Sequence, residues 1–231
     1  MKTIIILLLL ALPAFIFAHS KKSVTDNASV HADTINQSGY TLIFINKEAG
    51  FSTDLSQKLQ ETFFQVYPVL CKKYNPGSTR TVTFVVDPAY DGVAATSGNQ
   101  VVYSPQWFDK HPNDIDVVTH EVMHIVQAYG HGSGPWWVTE GIADYVRFRF
   151  GLDNAKAGWS LPDVTENQNY DNSYRITARF FVWIEQNKNK KFVEKMDKIM
   201  RDHKYSDEVW VKLTGKTTAE LWEEYQANPT I

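Results

Sequence analysis

The sequence predicts an α+β fold, and three observations predict it. Short β-branched runs are confined to the first half, apolar positions recur at helical spacing from residue 113 onward, and the chain beyond an N-terminal leader is one ordinary domain long. The expected architecture is a small N-terminal mixed sheet with helices, then a central helix carrying the candidate site, then a mainly helical C-terminal half.

Residues 1–18 read as a secretory leader: Lys2 gives the positive start, residues 4–17 an apolar run, and Ala18 a small residue before a cut. Pro13 interrupts that run, which is shorter than the roughly 20 residues that span a bilayer, and no second such run follows. The mature protein is therefore expected in the periplasm or the medium, soluble, monomeric and without membrane attachment. Residues 19–38 are polar and poor in large apolar side chains, so they are expected to form a flexible stub before a single domain at 39–231.

Within that domain the apolar run 40–45 reads as a strand. A helix over 53–74 follows, with Leu55, Leu59, Phe63, Val66 and Leu70 at helical spacing, and the turn Asn75-Pro76-Gly77 stops it. Residues 81–86 form a second strand ending at Asp87-Pro88. Residues 93–96 and 100–103, joined by Ser97-Gly98-Asn99, look like a hairpin. Helices are then expected over 113–129, 135–150, 173–187, 191–203 and 217–225. The single cysteine, Cys71, excludes an internal disulfide, and its helical apolar setting suggests a buried thiol. With 23 basic against 26 acidic side chains and no basic block, the chain lacks the electrostatic footprint of a binder of nucleic acid or anionic membrane.

The string His120-Glu121-Val122-Met123-His124 lies inside the helix expected over 113–129, with Asn113 as N-cap, Asp114 and Asp116 in the first turn and Gly130 as the stop. Residues four apart share a helix face, so both imidazoles point the same way and can hold one zinc ion. Glu121 projects about a quarter-turn away, where it can take a proton from water without occupying a ligand position. Val117, Val118, Ile125 and Val126 make this helix largely apolar and hence central. Burying His and Glu there without a partner would be costly, which favours a ligand.

A catalytic zinc wants a third protein ligand and one open position. Glu140 and His131 compete for that place. Glu140 lies on the next helix, after a Gly-Ser-Gly-Pro turn that lets the chain fold back, and Asp144 four residues on shares its face and can receive a free ring N–H of a ligand histidine. His131 is nearer in sequence. A third histidine six residues beyond His124 is excluded, because Gly130 stands there and Gln127 replaces the glycine that pattern needs midway.

These residues together resemble the gluzincin class of metallopeptidases, and within it the peptidase family of plant basic secretory proteins and their bacterial relatives. The strings HEVMH at 120–124, EGIADYVR at 140–147 and SYRITARFFVW at 173–183 carry the resemblance, which extends over about residues 40–200. It implies a zincin-like fold, zinc as cofactor, and hydrolysis of peptide bonds in a peptide or protein substrate. It also implies Glu140 as third ligand, Asp144 behind a ligand histidine and Glu121 as general base. Relatives carry a tyrosine followed at three-residue steps by a hydroxyl residue and aromatics; Tyr174, Thr177, Phe180 and Trp183 follow that spacing, which makes Tyr174 the candidate oxyanion donor, with Tyr145 and His131 in reserve. Unlike the plant members' name, the chain is slightly acidic.

The stretch 92–96 resembles the edge strand on which a zincin cleft takes an extended peptide. Trp136, Trp137 and Trp159 are expected as core or cleft wall, and Arg147, Arg149 and Arg175 in salt bridges. The rival class is a non-catalytic exported binding protein with a zincin-like shell that recognises cell-wall or glycan material through its tryptophans. A base beside the metal has no use in a pure binder. Hydrolysis of another amide or ester would use the same chemistry.

Overall fold

The computed structural model describes residues 31–231; the leader at 1–18 and the stub as far as residue 30 lie outside the described residues. β1 (His31–Gln37) and β2 (Tyr40–Asn46) make an antiparallel hairpin, α1 (Thr53–Tyr74) crosses over to β3 (Thr81–Val86), and β4 (Ala94–Ser97) and β5 (Gln100–Tyr103) make a second hairpin. The sheet runs β1-β2-β3-β5-β4, parallel at its two inner pairs and antiparallel at both outer ones. The rest is helical: α2 (Pro105–Lys110), α3 (Val117–Gln127), α4 (Trp136–Phe150), a 3-10 turn (Tyr170–Asn172), α5 (Tyr174–Asn187), α6 (Phe192–Arg201), α7 (Glu208–Thr214) and α8 (Thr218–Ala227). This is the expected α+β architecture.

Local signals account for the elements that match their expected bounds. The Ser52 hydroxyl accepts from the Leu55 N–H at 3.3 Å to open α1, and Lys72 and Lys73 sit in its last turn, where the helix dipole favours cations. Leu42 and Phe44 of β2, Val82 and Phe84 of β3 and Val101 of β5 pack with Leu59, Phe63 and Leu70 of α1 and with Val118 and Val122 of α3 in one core. Cys71 is buried there as a free thiol, as expected. No helix among the described residues is long and apolar enough to cross a membrane.

Two expectations are corrected. The stub over 19–38 is wrong for its last part, because residues 31–37 form β1. Ser38 (φ 51°) and Gly39 (φ 80°) make a two-residue turn with both φ positive, the geometry that matches the twist of a hairpin. β1 is held by its ladder to β2 while its side chains stay largely exposed, so polar composition could not reveal it. The helix expected over 113–129 is shorter at both ends. Asp116, not Asn113, is its N-cap, and Asp114 and Asp116 precede the first turn with carboxylates drawn to distant partners. At the other end Ala128 turns left-handed (φ 47°), two residues before Gly130.

Candidate metal centre

α3 and α4 face each other in antiparallel order: His120 pairs with Asp144 and His124 with Glu140, so rising numbers on one helix meet falling numbers on the other. The Nε2 atoms of His120 and His124 are 3.1 Å apart, and Glu140 Oε2 lies 3.3 Å from the first and 3.5 Å from the second. Four ligands bound tetrahedrally at about 2.0–2.1 Å must stand about 3.3 Å apart, so this triangle fits one zinc ion and leaves a fourth direction open. His131 is exposed and outside this group, which decides the geometric competition for the third position in favour of Glu140.

Each imidazole is oriented from behind. His120 Nδ1 is 2.7 Å from Asp144 Oδ1, the expected arrangement. His124 Nδ1 is 2.7 Å from Gln127 Oε1, and the Gln127 amide donates to the Thr139 carbonyl on α4 at 2.9 Å. No pattern in the sequence marks Gln127 as a partner of His124. With both Nδ1 atoms engaged, both Nε2 lone pairs are left for a cation.

The electrostatics point the same way. Burial works against a proton on His120, but the charge and hydrogen bond of Asp144, with Glu140 and Glu121, outweigh it and lift the imidazole to about 10. Burial also opposes the charge on Glu140, yet its contacts with His120 and His124 hold its carboxyl well below the usual range. The cluster therefore favours a positive charge at its centre, which a divalent cation supplies in place of the proton.

Glu121 is buried beside the triangle and outside it. The Thr96 hydroxyl of β4 donates to Glu121 Oε2 at 2.6 Å, a contact that sequence reasoning also missed. β4 is an edge strand, as expected for the stretch 92–96. Because the Ser104 N–H donates to the Val93 carbonyl, the alternation of an antiparallel pair turns the main-chain groups of residues 94 and 96 outward, along the cavity. The Tyr90 hydroxyl caps the Ala94 carbonyl at 3.1 Å.

Tyr174 stands half exposed at the mouth, its ring nearly parallel to His120 with centroids 6.2 Å apart. Burial and the charges of Glu140, Asp144 and Glu121 raise its phenol, which keeps the O–H at neutral pH. Ser173 (φ 69°) and Tyr174 (φ 49°) both occupy the left-handed region that non-glycine residues avoid, a local strain that sets the tyrosine at the head of α5. Of the reserves, Tyr145 is buried and donates to Glu185, away from the cavity. Trp137 stacks on Trp210 in the core, Trp136 is exposed beside Tyr174, and Trp159 lines the cavity. Arg147 is ion-paired with Asp114 as expected, whereas Arg149 and Arg175 make no ion pair among the described residues and Arg175 lines the cavity.

The family described as peptidase of plants and bacteria matches residues 28–225. No curated protein matches the chain. Among solved structures, the M1 zinc metallopeptidase from Deinococcus radiodurans is similar with a TM-score of 0.52 at 14% identity, over 86% of this chain and 51% of that one. A mutant of the M1 zinc metallopeptidase from the same organism gives 0.46 at 13% identity, over 86% and 48%. The chain thus spans about half the length of these structures. The first likeness, at this identity, is one of zincin-like fold.

Proposed function

The chain belongs to the family of peptidases of plants and bacteria, and on that premise we propose that it is an exported zinc-dependent peptidase with Glu121 as its general base. The observation that carries this reading is the triangle of His120 Nε2, His124 Nε2 and Glu140 Oε2 at 3.1–3.5 Å, with a buried carboxylate beside it. Zinc held by these three residues would supply Lewis acidity to a water molecule and to the scissile carbonyl.

The protein's own groups do the remaining work. Thr96 fixes one oxygen of Glu121, leaving the other to take a proton from the attacking water and pass it to the departing amine. The Tyr174 O–H donates to the oxygen that becomes negative in the transition state. Asp144 and Gln127 keep the two imidazoles in register. The outward Ala94 N–H and the outward main-chain groups of Thr96 pair with an extended substrate and hold it in place. Export rests on the leader at 1–18. The buried base weighs for catalysis over the rival exported binding protein.

Metal analysis and peptide cleavage on wild type and Glu121→Gln test this reading. The variant is expected to retain zinc and to lose about 10²–10⁴-fold in kcat. Equal cleavage by the two proteins would remove Glu121 from its role, and a zinc-loaded wild type inert toward all peptides would remove the peptidase reading.

A further inference from the structure

The cavity that holds the metal-ligating side chains encloses about 1110 Å³, above the roughly 300–1,000 Å³ of common small-molecule sites. It continues past the ligands toward the N-terminus of α3. Across the antiparallel pair, His120 and Asp144 form one rung, and Val117 and Arg147 each lie three residues further along their helices, about 5 Å on. The recess there is lined by Trp107, His111, Asp114, Val117, Arg147 and Trp159. An extended peptide advances about 3.3 Å per residue, so a bond held at the metal-ligating triangle brings a flanking side chain to this recess.

The recess is aromatic and electrically closed. Asp114 is buried; one of its oxygens takes the Arg147 guanidinium and the other the Trp107 indole N–H at 2.9 Å. The Arg147 guanidinium also lies over the Trp159 ring, 4.5 Å from its centroid, and donates from Nε to Asn154 at 3.0 Å. Trp107 stacks on His111 with centroids 3.9 Å apart. The Arg147 charge is balanced by Asp114, both of whose oxygens are engaged, while two indoles and a valine line the recess.

The walls are also fixed in place. The Asp116 carboxylate accepts from the Leu152 and Asp153 N–H groups at 2.7 and 2.6 Å, tying the loop that leads to Trp159 onto the start of α3. The Asn154 amide donates to the Arg147 carbonyl at 2.8 Å, closing the same loop against α4. A recess held this way discriminates by shape instead of remodelling around its ligand.

We propose that this recess takes the substrate side chain on one side of the cleaved bond and selects a large apolar one, aromatic above aliphatic. Trp107, Val117 and Trp159 are its specificity-determining walls. The inference rests on the peptidase reading, and its test keeps the two apart. Zinc-loaded wild type is given short peptides that differ at one position, carrying Phe, Leu, Ala, Lys or Glu, and the cut is located by mass spectrometry. The expected result is kcat/KM at least about tenfold higher for Phe than for Ala at one flanking position, with Lys and Glu poorest. Trp159→Ala is expected to lower the Phe-to-Ala ratio about tenfold, and Trp159→Phe to keep most of it.

Cleavage without an aromatic preference, or a ratio that Trp159→Ala leaves unmoved, overturns the recess and leaves the peptidase reading standing. If no peptide is cut, the peptidase reading falls, and calorimetry on zinc-loaded Glu121→Gln decides the recess alone. Tighter binding of the Phe peptide than of the Ala peptide supports it, and equal binding overturns it. The wild-type profile and this calorimetry also carry the test should Trp159→Ala fail to fold.

Discussion

Gln127 joins the two helices that carry the candidate ligands: its carbonyl oxygen faces His124 Nδ1 and its amide reaches Thr139, the residue before Glu140. Losing it would free the His124 ring and unpair the Thr139 carbonyl. Gln127→Ala is expected to weaken zinc binding about 10–100-fold in competition with a chelator, and an unchanged affinity would refute the orienting role. Asp144 was legible in the sequence because an acidic residue four places after Glu140 has a reason to be there. Gln127 and Thr96 were not legible. An amide or a hydroxyl is common on any helix or strand, and only the folded chain brings Thr96 to a carboxylate 25 residues away.

Among the elements, α4 and α5 meet closely at the residue after Glu140. A Cβ built on Gly141 would stand 2.3 Å from Thr177 Cγ2 and 3.0 Å from Phe181, so the two helices approach at a spot that only glycine allows. Gly141→Ala gains up to about 1 kcal/mol of helix propensity but must push α5 away. It is expected to destabilise the protein by about 1–3 kcal/mol in urea unfolding, and a neutral or stabilising result would contradict the packing. The elements read well from sequence are those whose own residues bury a face, such as α1 and β3. β1 is held mainly by its backbone, and α2 and α7 are six and seven residues long, too short to show a period. α3 is shorter than expected because Asp114 and Asp116, residues that suit a helix start, are engaged by Arg147 and the 152–153 backbone instead.

At the scale of the whole molecule, the proposed zinc ion would tie α3 to α4 and balance carboxylates that burial makes costly. Binding to the folded chain alone stabilises it by about 2.7 kcal/mol at one hundred times Kd. For a domain of this size, zinc added to chelator-treated protein is expected to raise Tm by roughly 5–10 °C, as read by calorimetry. A Tm insensitive to zinc would argue against the site. The sequence by itself determined the α+β order, the shared face of His120 and His124 and the offset of Glu121, because these follow from residue type and the helical period over a few positions. Only the tertiary structure decided that Glu140 and not His131 completes the triangle, that Gln127 and Thr96 support it, and that an aromatic recess opens one helical turn away. Those depend on how α2, α3, α4, β4 and the 151–159 loop pack together, and such distances are set by side chains far apart in the chain and not by any local pattern.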